Sequence, residues 1–165
     1  AGITGNPKLY FYSDDVIKKV NPTKYILETK EVVTSSPKVI KQRSNFLIPS
    51  GKSILNITVD TSFVRRDTSG NPISTNGAIK LAISFDSGVS YYTYNQTSGA
   101  FEAIDLNDIN LFLNQGIDAN NISQLNMNLL NQLLAENRTI RFAYLLNKPT
   151  LNDVCKLKKI KILFA

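Results

Sequence analysis

The chain has 165 residues, enough for one domain with a sizeable core. Apolar residues make up 42% and charged residues 19%, an ordinary globular balance, and no apolar run approaches the ~20 residues of a membrane span. There is no histidine and one cysteine, Cys155, which excludes Ser–His and Cys–His catalysis, a His-ligated zinc and an intrachain disulfide.

Residues 1–7 read as a linker or tail, and the leading Ala1-Gly2 as the start of a trimmed chain. Residues 8–165 read as a single β-sandwich domain. KLYFYS (8–13) is a short aromatic strand, and DDVIKKVNP a short turn stopped by Pro22. KYILETKEVVT (24–34) fits a helix or a strand, with its valines and Ile26 favouring the strand. KVIKQRSNFLI (38–48) puts Ile40, Phe46 and Ile48 on one parity, and PSGK makes a turn at 49–52. SILNITVDTSFVRR alternates, with Leu55, Ile57, Val59, Thr61 and Phe63 on the buried face. DTSGNPISTNG (67–77) is a polar loop.

AIKLAISF then turns Ile79, Leu81, Ile83 and Phe85 inward, and Lys80, Ala82 and Ser84 outward. SFDSGVSYY follows as a turn, YYTYN as a returning strand, QTSG as a second turn and FEAI as a short strand. Asp105 can cap a helix over DLNDINLFLNQG. Ile122, Leu125, Leu129, Leu130 and Leu133 fall at helical spacing, which predicts a helix near 122–136 capped by Asn120 or Asn121. RTIRFAYLL (138–146) is a strong strand and KPTLND a loop. In KLKKIKILF, Ile160, Ile162 and Phe164 face in and Lys159 and Lys161 face out, the pattern of a strand wet on one face, as at a sheet edge. The fold class is therefore mainly β: an antiparallel, jelly-roll-like β-sandwich with one or two short helices between residues 105 and 137.

The charge is +6: eleven basic residues against six acidic before residue 78, and eight against seven after it. The basic residues are dispersed, Arg is scarce, and a solvated Lys-rich surface fits better than a nucleic-acid site. Asp14-Asp15 and Asp60 lack the spacing of a calcium loop, so no cofactor or metal is expected, although a structural calcium ion, as in many sandwich modules, stays open. Asp86, Glu102, Asp105 and Asp108 are close in sequence, but nothing in the spacing sets two carboxyls across a cleft for glycoside hydrolysis.

Ser84-x-Asp86-x-Gly88-x-Ser90-Tyr91 resembles the Asp-box, S-x-D-x-G-x-T-W, with Ser for Thr and Tyr for Trp. The resemblance implies a structural hairpin. Asp86 accepts hydrogen bonds from its own turn, Gly88 supplies a positive φ, and Tyr91 closes back and buries. Over 78–164, the order of apolar strand, S-F-D-x-G hairpin, D-L-N-D-I segment, Leu-rich helix, R-F-A-Y-L-L strand and K-I-K-I strand looks like a domain of phage and prophage tail and fibre proteins. Tyr91 and Phe101 stand at that family's usual Trp positions, and residues 1–77 have no counterpart. The resemblance implies a non-enzymatic module of a tail, fibre or baseplate-like assembly. It implies a location in the virion or outside the cell after synthesis in a bacterial cytoplasm, and partners among other virion proteins or sister subunits as a homo-oligomer. The alternative is a carbohydrate-binding module for a cell-surface glycan, with Tyr92, Tyr94 and Phe101 as contacts. Alternation puts Tyr92 and Tyr94 opposite Tyr91 as an exposed pair, against the simpler reading of cross-strand packing. Neither nucleic-acid binding nor membrane insertion is expected.

Overall fold

Alternating apolar residues can bury one face each, and here they do so across two sheets. The computed structural model describes residues 10–12, 16–21, 24–28, 37–73, 78–134, 136–147 and 154–165. The expected tail (1–7) and the loop at 148–153 lie outside the described residues. The first sheet runs β1 (Tyr10–Tyr12), β4 (Lys38–Lys41), β12 (Thr139–Asn147), β8 (Ala78–Ser84), β9 (Tyr92–Asn95), β10 (Ala100–Ala103). Two short strands join it: β5 (Phe46–Leu47) on β12 and β11 (Ile117–Asp118) on β8. The second sheet runs β2 (Val16–Asn21), β3 (Lys24–Glu28), β13 (Val154–Phe164), β6 (Ile54–Arg66), β7 (Pro72–Ile73). Pairing is antiparallel except between β1 and β4. The expected turn at 14–22 contains strand β2, paired to β3, and the polar loop after β6 carries the two-residue β7.

Ile57, Ile160, Ile162 and Phe164 of the second sheet meet Ile79, Leu81, Ile83, Phe142 and Tyr144 of the first in one buried cluster. Two irregularities keep the inward residues inward. Leu157 pairs with Thr61 and Lys159 with Asp60, so Lys158 is an extra residue. It resets the parity, and Cys155 and Leu157 on one side and Ile160, Ile162 and Phe164 on the other all reach the core. Likewise Leu163 pairs with Asn56 and Phe164 with Ile54, which leaves Leu55 unpaired. Leu55, expected inside, is 53% exposed, and Ile54 takes its place. The lysine-bearing β13 is no edge: it lies between β3 and β6. Its lysines mark the outer face of a central strand.

The first sheet is covered on its other face too. There Ala82 and Ala143 are register partners on β8 and β12. With Val39, Tyr91, Ile104, Leu106 and Leu145 they form a second cluster, capped by Phe112 of α1 (Ile109–Gln115). At Ala82 and Ser84 the face expected to be wet is therefore dry, while Lys80 stays partly exposed, and β12 is buried from Phe142 through Leu146.

Three short helical segments lie between 105 and 137 among the described residues. Asp105 accepts from the N–H of Asn107 (2.8 Å) in a turn of its own, and Asp108 caps α1 by accepting from the Leu111 N–H (2.9 Å). The helix expected near 122–136 is divided. Asp118 caps a 3-10 helix (Ala119–Gln124), and Asn126 starts α2 (Met127–Leu134) by accepting from the Leu129 N–H (3.1 Å). Ile122, Leu125, Leu130 and Leu134 plug the core beside β6, while Leu133 turns outward. Asn131 ties α2 to the sheet. Its carboxamide accepts from the N–H of buried Ile54 (2.8 Å) and donates to the same residue's carbonyl (2.9 Å), as a neighbouring strand would. Asn131→Ala leaves both groups unpaired and is expected to lower stability by about 1–3 kcal/mol. A urea midpoint equal to that of the unchanged chain would show the bridge to be idle.

Candidate functional site

The hairpin 84–91 is built from its own side chains. Ser84 is fully buried and ends β8. Its hydroxyl donates to the Asp86 carboxylate (2.7 Å) and accepts from the Gly88 N–H (2.8 Å). The same Asp86 oxygen accepts from the Ser90 N–H (2.8 Å). Gly88 sits at φ +89, where an L side chain is strained, and an added Cβ would also press on the Tyr91 hydroxyl at 3.3 Å. Burial alone would raise the Asp86 pKa. The Ser90 N–H, the Ser84 and Ser90 hydroxyls and the Val89 N–H outweigh it and hold the carboxyl below its ordinary value of 3.8. Asp86 is thus engaged by its turn.

The rest of the chain holds this turn from outside. Asn45 donates to the Ser87 hydroxyl (3.0 Å) and accepts from Arg141 of β12. Asn137 donates to the Phe85 carbonyl (3.3 Å). Tyr91 is buried, but in the cluster beneath α1 rather than between the sheets, with the Lys41 ammonium 5.7 Å from its ring centre.

Tyr92, Tyr94 and Phe101 come together on the opposite face. They are half-buried, and all three pack against the core between the sheets. Tyr94 pairs with Phe101 across β9 and β10, with ring centres 5.1 Å apart and planes tilted by 59°. Phe85 meets Phe101 edge-on at 5.8 Å and Tyr92 at 6.0 Å. The expected exposed pair is therefore a tilted aromatic cluster engaged in cross-strand packing. Phe85, within the core cluster, touches both Tyr92 and Phe101 and anchors the group.

A second feature escaped the sequence reading. β9 pairs with β8 only at Tyr92 and Ile83. Further along, β8 exchanges partners: Leu81 and Lys80 pair with Ile117 and Asp118 of β11. The sheet forks, and a polar cleft of about 500 Å³ opens in the fork. On one side stand Tyr94, Asn95 and Glu102; on the other, Lys80, Asp118 and Asn121. The Thr93 hydroxyl donates to the Gln115 carbonyl across the base, and Lys80 pairs with Asp118 at 3.5 Å. Gly116 makes the fork close enough to form. A Cβ there would lie 2.5 Å from the Phe112 carbonyl oxygen and 2.8 Å from the Lys80 Cβ. The cleft residues span 80 to 121, and no local pattern joins them.

Among the described residues, no group of three or more acidic or cysteine side chains could hold a metal ion, and no helix is long and apolar enough to cross a membrane. Comparison with protein-family models, with curated proteins and with solved structures finds no match.

The Asp86 carboxyl makes its own prediction. Asp86→Ala leaves the Ser90 N–H and the Ser84 hydroxyl without their acceptor and is expected to lower stability by about 1–3 kcal/mol. Because the folded pKa is depressed, the charge-dependent part of this contribution is complete above the ordinary value of 3.8. That part shrinks as the pH falls below this value and is gone once the pH has passed through the lower folded pKa. The gap between urea titrations of the two proteins should therefore narrow in acid. A gap that stays constant with pH would mean that the charge has no part in the turn.

Proposed function

We propose that the chain is a non-enzymatic structural and interaction module of a phage tail, fibre or baseplate-like assembly. It works by packing against sister subunits or other virion proteins. The observation that carries this reading is the inward bonding of the Ser84–Asp86 turn. The carboxylate that a catalytic proposal would want first is already bound to Ser84 and Ser90. Such a hairpin is a brace, and it presents Val89 at its tip with 84% of its surface exposed. The chain's lack of histidine and the resemblance over 78–164 support the same reading.

A second reading, recognition of a cell-surface glycan, is favoured by one feature. Tyr94 borders a polar cleft of a volume suited to a small ligand. The two readings are compatible, since a module can pack through one surface and bind through another.

The structural reading is tested in particles. Virions or tail-like particles purified from the producing bacterium should contain the chain in a fixed ratio to other tail proteins by mass spectrometry. Deletion of its gene should leave incomplete particles. If the chain stays in the cytosolic fraction while intact particles form without it, the reading is lost.

A further inference from the structure

We infer that the cleft in the sheet fork is a binding site for a neutral oligosaccharide, held mainly by side-chain amides rather than by the aromatic cluster. This rests on the glycan reading and gives it a place and a ligand class.

The argument starts from what lines the cleft. Asn114, Gln115 and Asn121 present carboxamides, and these side chains make no hydrogen bond among the described residues. A carboxamide offers two donors and an acceptor in one plane, which matches hydroxyl groups that both donate and accept. Most small-ligand pockets are lined mainly by apolar groups, so a cleft dominated by amides selects a ligand dense in hydroxyls.

The walls are arranged before any ligand arrives. Glu102 accepts through Oε1 from Asn95 (2.9 Å) and Ser98 (3.3 Å), which fixes the direction of its carboxylate. Asp118 is held by the Asn120 N–H (2.9 Å) and by Lys80. The Thr93–Gln115 bond keeps the base of the fork closed. Such prior ordering reduces the entropy lost on binding.

Charge narrows the ligand. Lys80 contributes one formal positive charge, and Glu102 and Asp118 contribute two negative ones. The lysine is matched by Asp118, which leaves Glu102 as the uncompensated charge. A carboxylated or phosphorylated sugar would meet like charge, whereas a neutral sugar brings none. Tyr94 at the rim supplies apolar surface for the C–H groups of a ring.

The test is a titration of the full chain, labelled with nitrogen-15, against neutral oligosaccharides (cellotetraose, maltotetraose, chitotriose) and the anionic sialyllactose. The expected result is saturable shifts with at least one neutral sugar, confined to amides near Lys80, Thr93–Gln96, Glu102 and residues 114–121. Asn121→Ala and Gln115→Ala, with otherwise unchanged spectra, should each weaken binding by about tenfold, the loss of roughly one hydrogen bond. Shifts centred on Tyr92 and Phe101, with binding indifferent to both variants, would overturn the cleft and leave the glycan reading standing. Tighter binding of sialyllactose would overturn the ligand class. No saturable shift with any of these sugars would overturn the glycan reading and the cleft together.

Discussion

The rest of the structure depends on one close contact: paired alanines under a phenylalanine. Ala82 and Ala143 face each other on adjacent central strands and leave no side-chain bulk between them. Phe112 fills that space with no exposed surface, which seats α1 directly on the sheet. With the second sheet on the other face, β12 from Phe142 to Leu146 and β8 from Leu81 to Ser84 are dry on both sides. The backbone groups of β12 must then be satisfied within the ladder, and antiparallel pairing with β4 and β8 does this. The sandwich gains a second, smaller core that a simple two-layer arrangement would lack.

The consequences run outward from α1. Its C-terminal end lies so near β8 that only glycine fits at 116, and the chain beyond it pairs with β8 as β11. That pairing occupies the β8 edge that β9 would otherwise continue along. β9 is displaced, and the cleft is the space left between the two. The brace at 84–90 and the cleft are thus neighbours on one sheet with opposite characters. In the brace the polar groups are bonded to one another; in the cleft a set of amides is left facing outward. The second sheet adds a third surface, where lysines of β13 interrupt an otherwise apolar strand. Any assembly built on this module has three chemically distinct faces to use.

Much of the fold was legible in the sequence because its strands alternate with a period of two over most of their length. The inward sets on β8 and β13 are those that alternation names. The hairpin was legible as well, since its bonds join residues two and four apart. Other features were hidden for identifiable reasons. Leu55 looked buried because alternation assumes an unbroken ladder, and a bulge breaks it. The long helix pattern concealed a break, because Asn126 is as able to cap a new helix as to sit within one. Tyr92 and Tyr94 looked exposed because periodicity assigns a residue to a face and does not say what lies above that face.

The sequence by itself determined what is local: which residues share a face, where the chain turns, that histidine chemistry is absent, and that Asp86 is bound to its own turn. These depend on separations of a few residues, over which backbone geometry leaves little choice. Tertiary structure alone decided which strands are neighbours. It made β13 a central strand, dried the alanine face, turned the tyrosines into packing and opened the fork between β9 and β11. Each of these brings together residues on different strands or helices, most of them separated by tens of positions, whose meeting depends on how much space other side chains leave. An alanine pair reads in sequence as two small residues; in the folded chain it sets where a helix sits and where a cleft opens.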